Sequence, residues 1–202
     1  MESQESTRAI KPSRKQQILE SLAIMLEASP GERITTAGLA KTVGVSEAAL
    51  YRHFPSKAKM FEGLIDFVEE SIFSRISMID TNGATVADKC YQTLYLLLSF
   101  CEKNPGITRI LTGDPLTGEN ERLRKRVSQL FNRIETQLKQ FMREAALREE
   151  IILAVDTSVA AQLLMSVSTG KICQYVREDF NCNPTRHWDD QWNLLKVSLF
   201  GP

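Results

Sequence analysis

Between positions 35 and 57 stand Thr35, Thr36, Ser46, Tyr51, Arg52, His53 and Lys57, a short run of hydroxyls, cations and one imidazole. Such groups donate hydrogen bonds and positive charge, which suits an anionic polymer. They do not suit bond-breaking chemistry. The two histidines, His53 and His187, are far apart, which leaves little for a zinc site or a His-based catalytic centre. The chain has no Gly-rich phosphate loop, no GxSxG and no HExxH. The adjacent pairs Glu69-Glu70 and Glu149-Glu150 would point about 100° apart on a helix, so they read as solvated faces. Cys90, Cys101, Cys173 and Cys182 lack CxxC spacing and read as small buried hydrophobes of a reducing cytoplasm. An enzyme is disfavoured, and neither metal nor cofactor is expected.

The elements that would carry these groups are short. Thr35-Thr36 opens a helix through Leu39, Ala40 and Val43, and Gly44 stops it in the left-handed position that favours glycine. Ser46 then caps a helix to about His53, which Phe54-Pro55 terminates. Two helices about a glycine turn make a helix-turn-helix. The second can enter a major groove N-terminus first, because Ser46, Glu47, Ala48 and Ala49 are small. Thr35 and Thr36 suit a phosphate at the start of the preceding helix, and Tyr51, Arg52, His53 and Lys57 can reach the backbone beyond. A helical hairpin with polar ends would show the same spacing.

The whole chain of 202 residues has zero formal net charge and 43% hydrophobic residues, enough for a sizeable core. Residues 8–59 nevertheless hold nine Lys/Arg against four Asp/Glu, a basic head on a mildly acidic body. The polar N-terminus has no apolar signal segment and no run is long enough to span a membrane, so the cytoplasm is the expected compartment. Helical periodicity recurs throughout and no strand pattern is found. The spacing predicts an all-α chain of roughly nine helices. We divide it into a flexible arm at 1–12, a helix-turn-helix domain at 13–57 and a helical body at 58–202. The fourth helix should start at Ser56 and point Met60, Leu64, Phe67, Val68, Phe73 and Ile76 inward. The last should run from Pro184 to Phe200. Leu163, Val167, Trp188, Trp192, Leu195 and Leu199 on the last two helices suit a dimer interface, with intrachain core as the alternative. Two heads at fixed spacing would match a pseudo-palindromic site.

The stretch Ile34–Lys57 contains Gly-Val-Ser-x-x-x-Leu-Tyr-x-His-Phe-x-x-Lys and resembles the DNA-binding head of the TetR family. That resemblance implies an all-α, dimeric, nine-helix regulator, in most members a repressor released by a small ligand. Ser99, Ser166, Ser168, Thr169 and Gln174 could line a ligand pocket. Further stretches, Lys103–Gly113 and Arg122–Glu135 among them, resemble the nucleoid occlusion branch of that family. Proteins of that branch bind DNA as dimers and engage the C-terminal tail of the tubulin-like division protein FtsZ, disrupting its polymers over the chromosome. The resemblance implies a tail groove between the fourth and fifth helices, here Phe67, Arg75, Leu96, Ser99, Lys103 and Asn104. It departs from the branch at Ser99 (glycine there), at Lys103 (arginine) and at Asp114-Pro115.

Overall fold

The computed structural model describes residues 13–28, 34–79, 84–113, 121–148 and 150–201. The proposed arm at 1–12 and the Asp114-Pro115 departure lie outside them. Nine helices are found among these residues, and no strand. They are α1 (Arg14–Ala28), α2 (Thr36–Val43), α3 (Glu47–His53), α4 (Lys57–Ile79), α5 (Val86–Lys103), α6 (Pro105–Thr112), α7 (Glu121–Leu147), α8 (Thr157–Arg177) and α9 (Trp188–Phe200).

The ends follow local chemistry. The hydroxyls of Thr35, Ser46 and Thr85 accept from the backbone N–H three residues on, at 3.1, 3.2 and 3.2 Å. Each satisfies a helix-start donor that would otherwise lack a partner. Gly44 closes α2 at φ 73° and Gly113 closes α6 at φ 84°, a region that side-chained residues enter at a cost. Pro105 opens α6, where its missing N–H is harmless.

One continuous core runs from Ile18 on α1 to Leu199 on α9. Leu39 and Leu50 join it from α2 and α3, so those two helices have no separate core of their own. The charged edge between α4 and α7 is zipped by Arg126, which pairs with Asp66 at 2.7 Å and Glu69 at 3.0 Å.

Four expectations need correction. Phe67 is 46% exposed rather than inward, because Val68, Ile65 and Leu64 take the buried face of α4. Phe73 is half-buried beneath the Arg133 guanidinium, 3.8 Å from its ring centroid. Helix α9 begins at Trp188, not Pro184, because residues 184–187 form a turn ending at His187 with φ 57°. Cys90 and Cys101 are buried, whereas Cys173 is exposed and Cys182 half-buried. Cys173 lies in the C-terminal part of α8 and Cys182 in the segment between α8 and α9.

Candidate nucleic-acid interface

The head is built by three short helices that stabilise one another. Ile18, Leu22 and Leu26 of α1 are buried with Leu39 of α2 and Leu50 of α3. With their apolar sides turned inward, the other sides of α2 and α3 meet solvent. Thr35, Ser46, Glu47, Ala48, Tyr51 and Arg52 are exposed, while Thr36, His53 and Lys57 are half-buried. All nine residues predicted to meet DNA therefore sit on one short stretch of the fold with accessible surface.

Their chemistry is already partly set. Thr35 and Ser46 use oxygen lone pairs to cap, which leaves each O–H proton able to donate outward. The Thr36 hydroxyl donates to Glu47 Oε2 at 3.0 Å, which ties the starts of α2 and α3 together. Sequence spacing did not reveal this bond. Only the crossing of the two helices brings positions eleven apart into contact. The Lys57 ammonium lies 5.5 Å from the Phe61 ring centroid, and Lys15 lies 5.9 Å from that of Phe54. Both cations are thus held near the base of α3 by aromatic faces.

Beside the head lies a groove of about 510 Å³ walled by α1, α4 and the α5–α6 corner. Phe67, Lys103 and Asn104 line it together. Arg75, Leu96 and Ser99 do not; Arg75 is exposed two turns along α4, and Leu96 and Ser99 are half-buried on α5. The Asn104 amide donates to the Phe100 carbonyl at 2.8 Å, which fixes it in the wall. The Phe67 and Phe100 rings stand 6.1 Å apart. The opposite wall comes from α1, with Ile24 62% exposed between Glu20 and Glu27. That wall was missed, because helical periodicity assigns α1 only its buried stripe. The groove offers an apolar floor with a cation on one rim and carboxylates on the other.

At the far end, Trp188, Trp192 and Leu199 are turned into the protomer's own core. Trp192 meets Tyr91 edge-on at 5.7 Å, and the Tyr91 hydroxyl donates to Asp189 at 2.5 Å. Burial, then that carboxylate, pushes the Tyr91 phenol up to about 12. Of the six residues predicted at a dimer interface, these three are therefore packed inside, while Leu163 is exposed and Val167 and Leu195 are half-buried. Val159, Leu194 and Val197 add exposed apolar surface on the same two helices. Two of the hydroxyls considered for a ligand pocket fold back: Ser168 donates to the Leu164 carbonyl at 3.0 Å and Thr169 to that of Met165 at 2.8 Å. Among the described residues, no three His, Cys, Asp or Glu side chains are grouped to hold a metal ion, and no helix is long and apolar enough to cross a membrane.

A helix-turn-helix on a larger helical body is the architecture of one class of DNA-binding regulators, and the similarities agree. Residues 18–64 match the model of the bacterial regulatory proteins of the tetR family. Residues 86–199 match the tetracyclin repressor-like C-terminal domain of the SlmA-like type. Among solved structures, the MbdR regulator from Azoarcus sp. CIB superposes with a TM-score of 0.75 at 16% identity, over 94% of this chain and 99% of that one. The regulator FadR from Bacillus subtilis, in complex with stearoyl-CoA, gives 0.72 at 18%, over 90% and 97%. At such identities the likeness is one of fold. The nucleoid occlusion factor SlmA of Shewanella pealeana is 57% identical over 189 residues, 94% of this chain and 96% of that protein. That of Idiomarina loihiensis is 54% identical over the same shares. The chain therefore belongs to the tetR family and, within it, to the SlmA nucleoid occlusion factors.

Proposed function

We propose that this protein is a nucleoid occlusion factor that binds specific duplex DNA as a homodimer, engages the FtsZ C-terminal tail while bound, and blocks division-ring assembly over the chromosome. The observation that carries this reading is the 57% identity to a nucleoid occlusion factor across 94% of the chain, which takes in head and groove alike. The local chemistry supports it. Thr35, Thr36, Ser46, Tyr51, Arg52, His53 and Lys57 offer donors and charge to phosphates, and Glu47 and Ala48 stand where the second helix would meet base edges. In the groove, Phe67 offers apolar contact and Lys103 charge to a tail with apolar and acidic side chains. Arg75, Leu96 and Ser99 would extend that contact along α4 and α5. Leu163, Val167 and Leu195, with their exposed neighbours, would meet the second subunit.

The alternative is a repressor released by a small molecule. It needs convergent polar groups around an internal cavity, and Ser168 and Thr169 instead spend their hydroxyl protons on their own helix. Light scattering of FtsZ polymers with this protein, with and without a duplex it binds, separates the two. Loss of scattering only when duplex is present supports the occlusion reading. Unchanged scattering in both conditions removes it.

A further inference from the structure

We propose that Arg109 is a positioning residue for DNA recognition: from inside the protomer it locks the end of α1 to α6, and so sets the angle at which each head meets a two-fold DNA site. The proposal rests on the reading of this protein as a dimer that binds duplex DNA.

Helix α6 packs closely on α1. The approach is backbone to backbone. A Cβ on Gly106 would stand 1.9 Å from the Ala23 carbonyl oxygen, so only glycine allows this separation. One turn on, Arg109 is 2% exposed and donates from Nη1 to the Leu26 carbonyl at 2.5 Å. A guanidinium stays charged, and burying it is costly without compensation. The Leu26 carbonyl supplies part of it, because it belongs to the last turn of α1, whose carbonyls have no partner further along the helix and form the negative end of its dipole.

The other end of the lock is in the body. Thr108 is buried beside Arg109, and its hydroxyl lies 2.9 Å from the carbonyls of both Cys101 and Asn104 on the α5 side. Neighbouring residues of α6 thus grip α5 and α1 in opposite directions. Since α1 packs against both α2 and α3, a tilt of α1 on α6 would carry the DNA-facing residues with it. Nothing in the sequence shows what Arg109 touches.

The half-sites of a two-fold operator lie about one helical turn apart, and inserting two base pairs moves one by about 7 Å and rotates it by about 70°. A locked head cannot follow that displacement, whereas a loosened head can. The probe is a duplex of some thirty base pairs enriched from a randomised pool by the wild-type protein. Its companions are the same duplex with two base pairs inserted between half-sites, and a single half-site. Wild-type protein is expected to lose at least ~tenfold in affinity on insertion, the size of a lost base-pair contact. Arg109→Met is expected to bind the single half-site like wild type yet to lose less than about threefold on insertion, because its heads are no longer fixed. Arg109→Lys should lie between them, since a point charge can hold one carbonyl without the planar fork. Gly106→Ala keeps the arginine but pushes α1 off α6, and should reproduce the pattern if Arg109→Met loses its native circular dichroism spectrum. A wild-type insertion penalty in Arg109→Met, or in Gly106→Ala where that variant stands in, overturns the proposal. So does equal loss on half-site and full site, which would mean a role in folding alone. If wild-type protein enriches no duplex, the DNA-binding reading itself fails and takes the proposal with it.

Discussion

The Thr36 hydroxyl donates a 3.0 Å hydrogen bond to Oε2 of Glu47, so the first turn of α2 is fastened to the first turn of α3. The bond joins the two helices at the surface a groove would meet, over the buried contact of Leu39 and Leu50 with the core. It also occupies one oxygen of the Glu47 carboxylate. Thr36→Val and Glu47→Ala should each lower stability, and a double-mutant cycle should return a coupling of about 0.5 kcal/mol, the low end for an exposed hydrogen bond. Strictly additive losses in urea unfolding would show that the bond contributes nothing.

DNA binding should weaken steeply with salt, because cations on the head displace counterions from the duplex. Replacing Arg52 or Lys57 with alanine should lower the slope of log K against log salt by about one unit each. Tyr51→Ala should reduce affinity for a specific duplex with helicity intact, since Tyr51 is exposed and makes little core. Thr35→Ala should reduce it too, and should cost about 1 kcal/mol of stability through the lost cap. Affinity equal at low and high salt would count against the whole interface.

Lys103→Glu should impair FtsZ engagement and leave DNA affinity unchanged, because Lys103 lies on the groove rim at the end of α5 and outside the helix-turn-helix. Phe67→Ala should do the same through lost apolar contact. FtsZ polymers that respond to both variants as to wild type would place the tail elsewhere.

The exposed apolar strip on α8 and α9 makes a further case. Leu194→Arg should shift the protein toward monomer in sedimentation, since Leu194 is 72% exposed in the protomer. Trp188→Ala should instead lower the stability of the protomer itself by ~3–5 kcal/mol, the cost of emptying a large buried site. If both variants only destabilise, the dimer surface lies on another face.

Thiol chemistry should divide the four cysteines. Burial pushes Cys90 and Cys101 up to about 12, so Cys173 should react with a thiol reagent at neutral pH while those two stay silent. The same shifts set the alkaline limit. Above their ordinary value of 9.0 the unfolded chain releases protons that the folded chain keeps. The Tyr91 phenol adds to this above 10.0. The folded state then binds more protons than the unfolded state, so stability is full below pH 9 and falls as pH rises toward 12. A thermal midpoint flat from pH 8 to 11 would contradict that protonation balance.

Much of this architecture was readable before any coordinates. Thr35, Ser46, Thr85, Gly44 and Gly113 each act on the few residues around them, so helix starts and stops follow from chemistry along the chain. Steps of three and four pick out Leu123, Val127, Leu130, Phe131, Ile134, Leu138 and Phe141 of α7, and all are buried except Phe131, which is half-buried. Periodicity erred at Phe67 and left Trp188 open between interface and core, for related reasons. A large apolar side chain on an amphipathic helix can serve the core or an outer surface, and spacing does not say which. The turn at 184–187 escaped because a left-handed histidine carries no sequence mark.

The amino-acid order thus determined what is local: the nine helices found among the described residues, their caps, the helix-turn-helix and the family to which the chain belongs. Packing alone decided which faces of those helices meet. It set Arg109 under the end of α1, made α1 a wall of the groove beside Phe67, and drew Trp188 and Trp192 inside while leaving Leu194 out. The reason is physical. A cap acts within one helical turn, whereas a buried cation or a shared groove exists only once distant segments have come together.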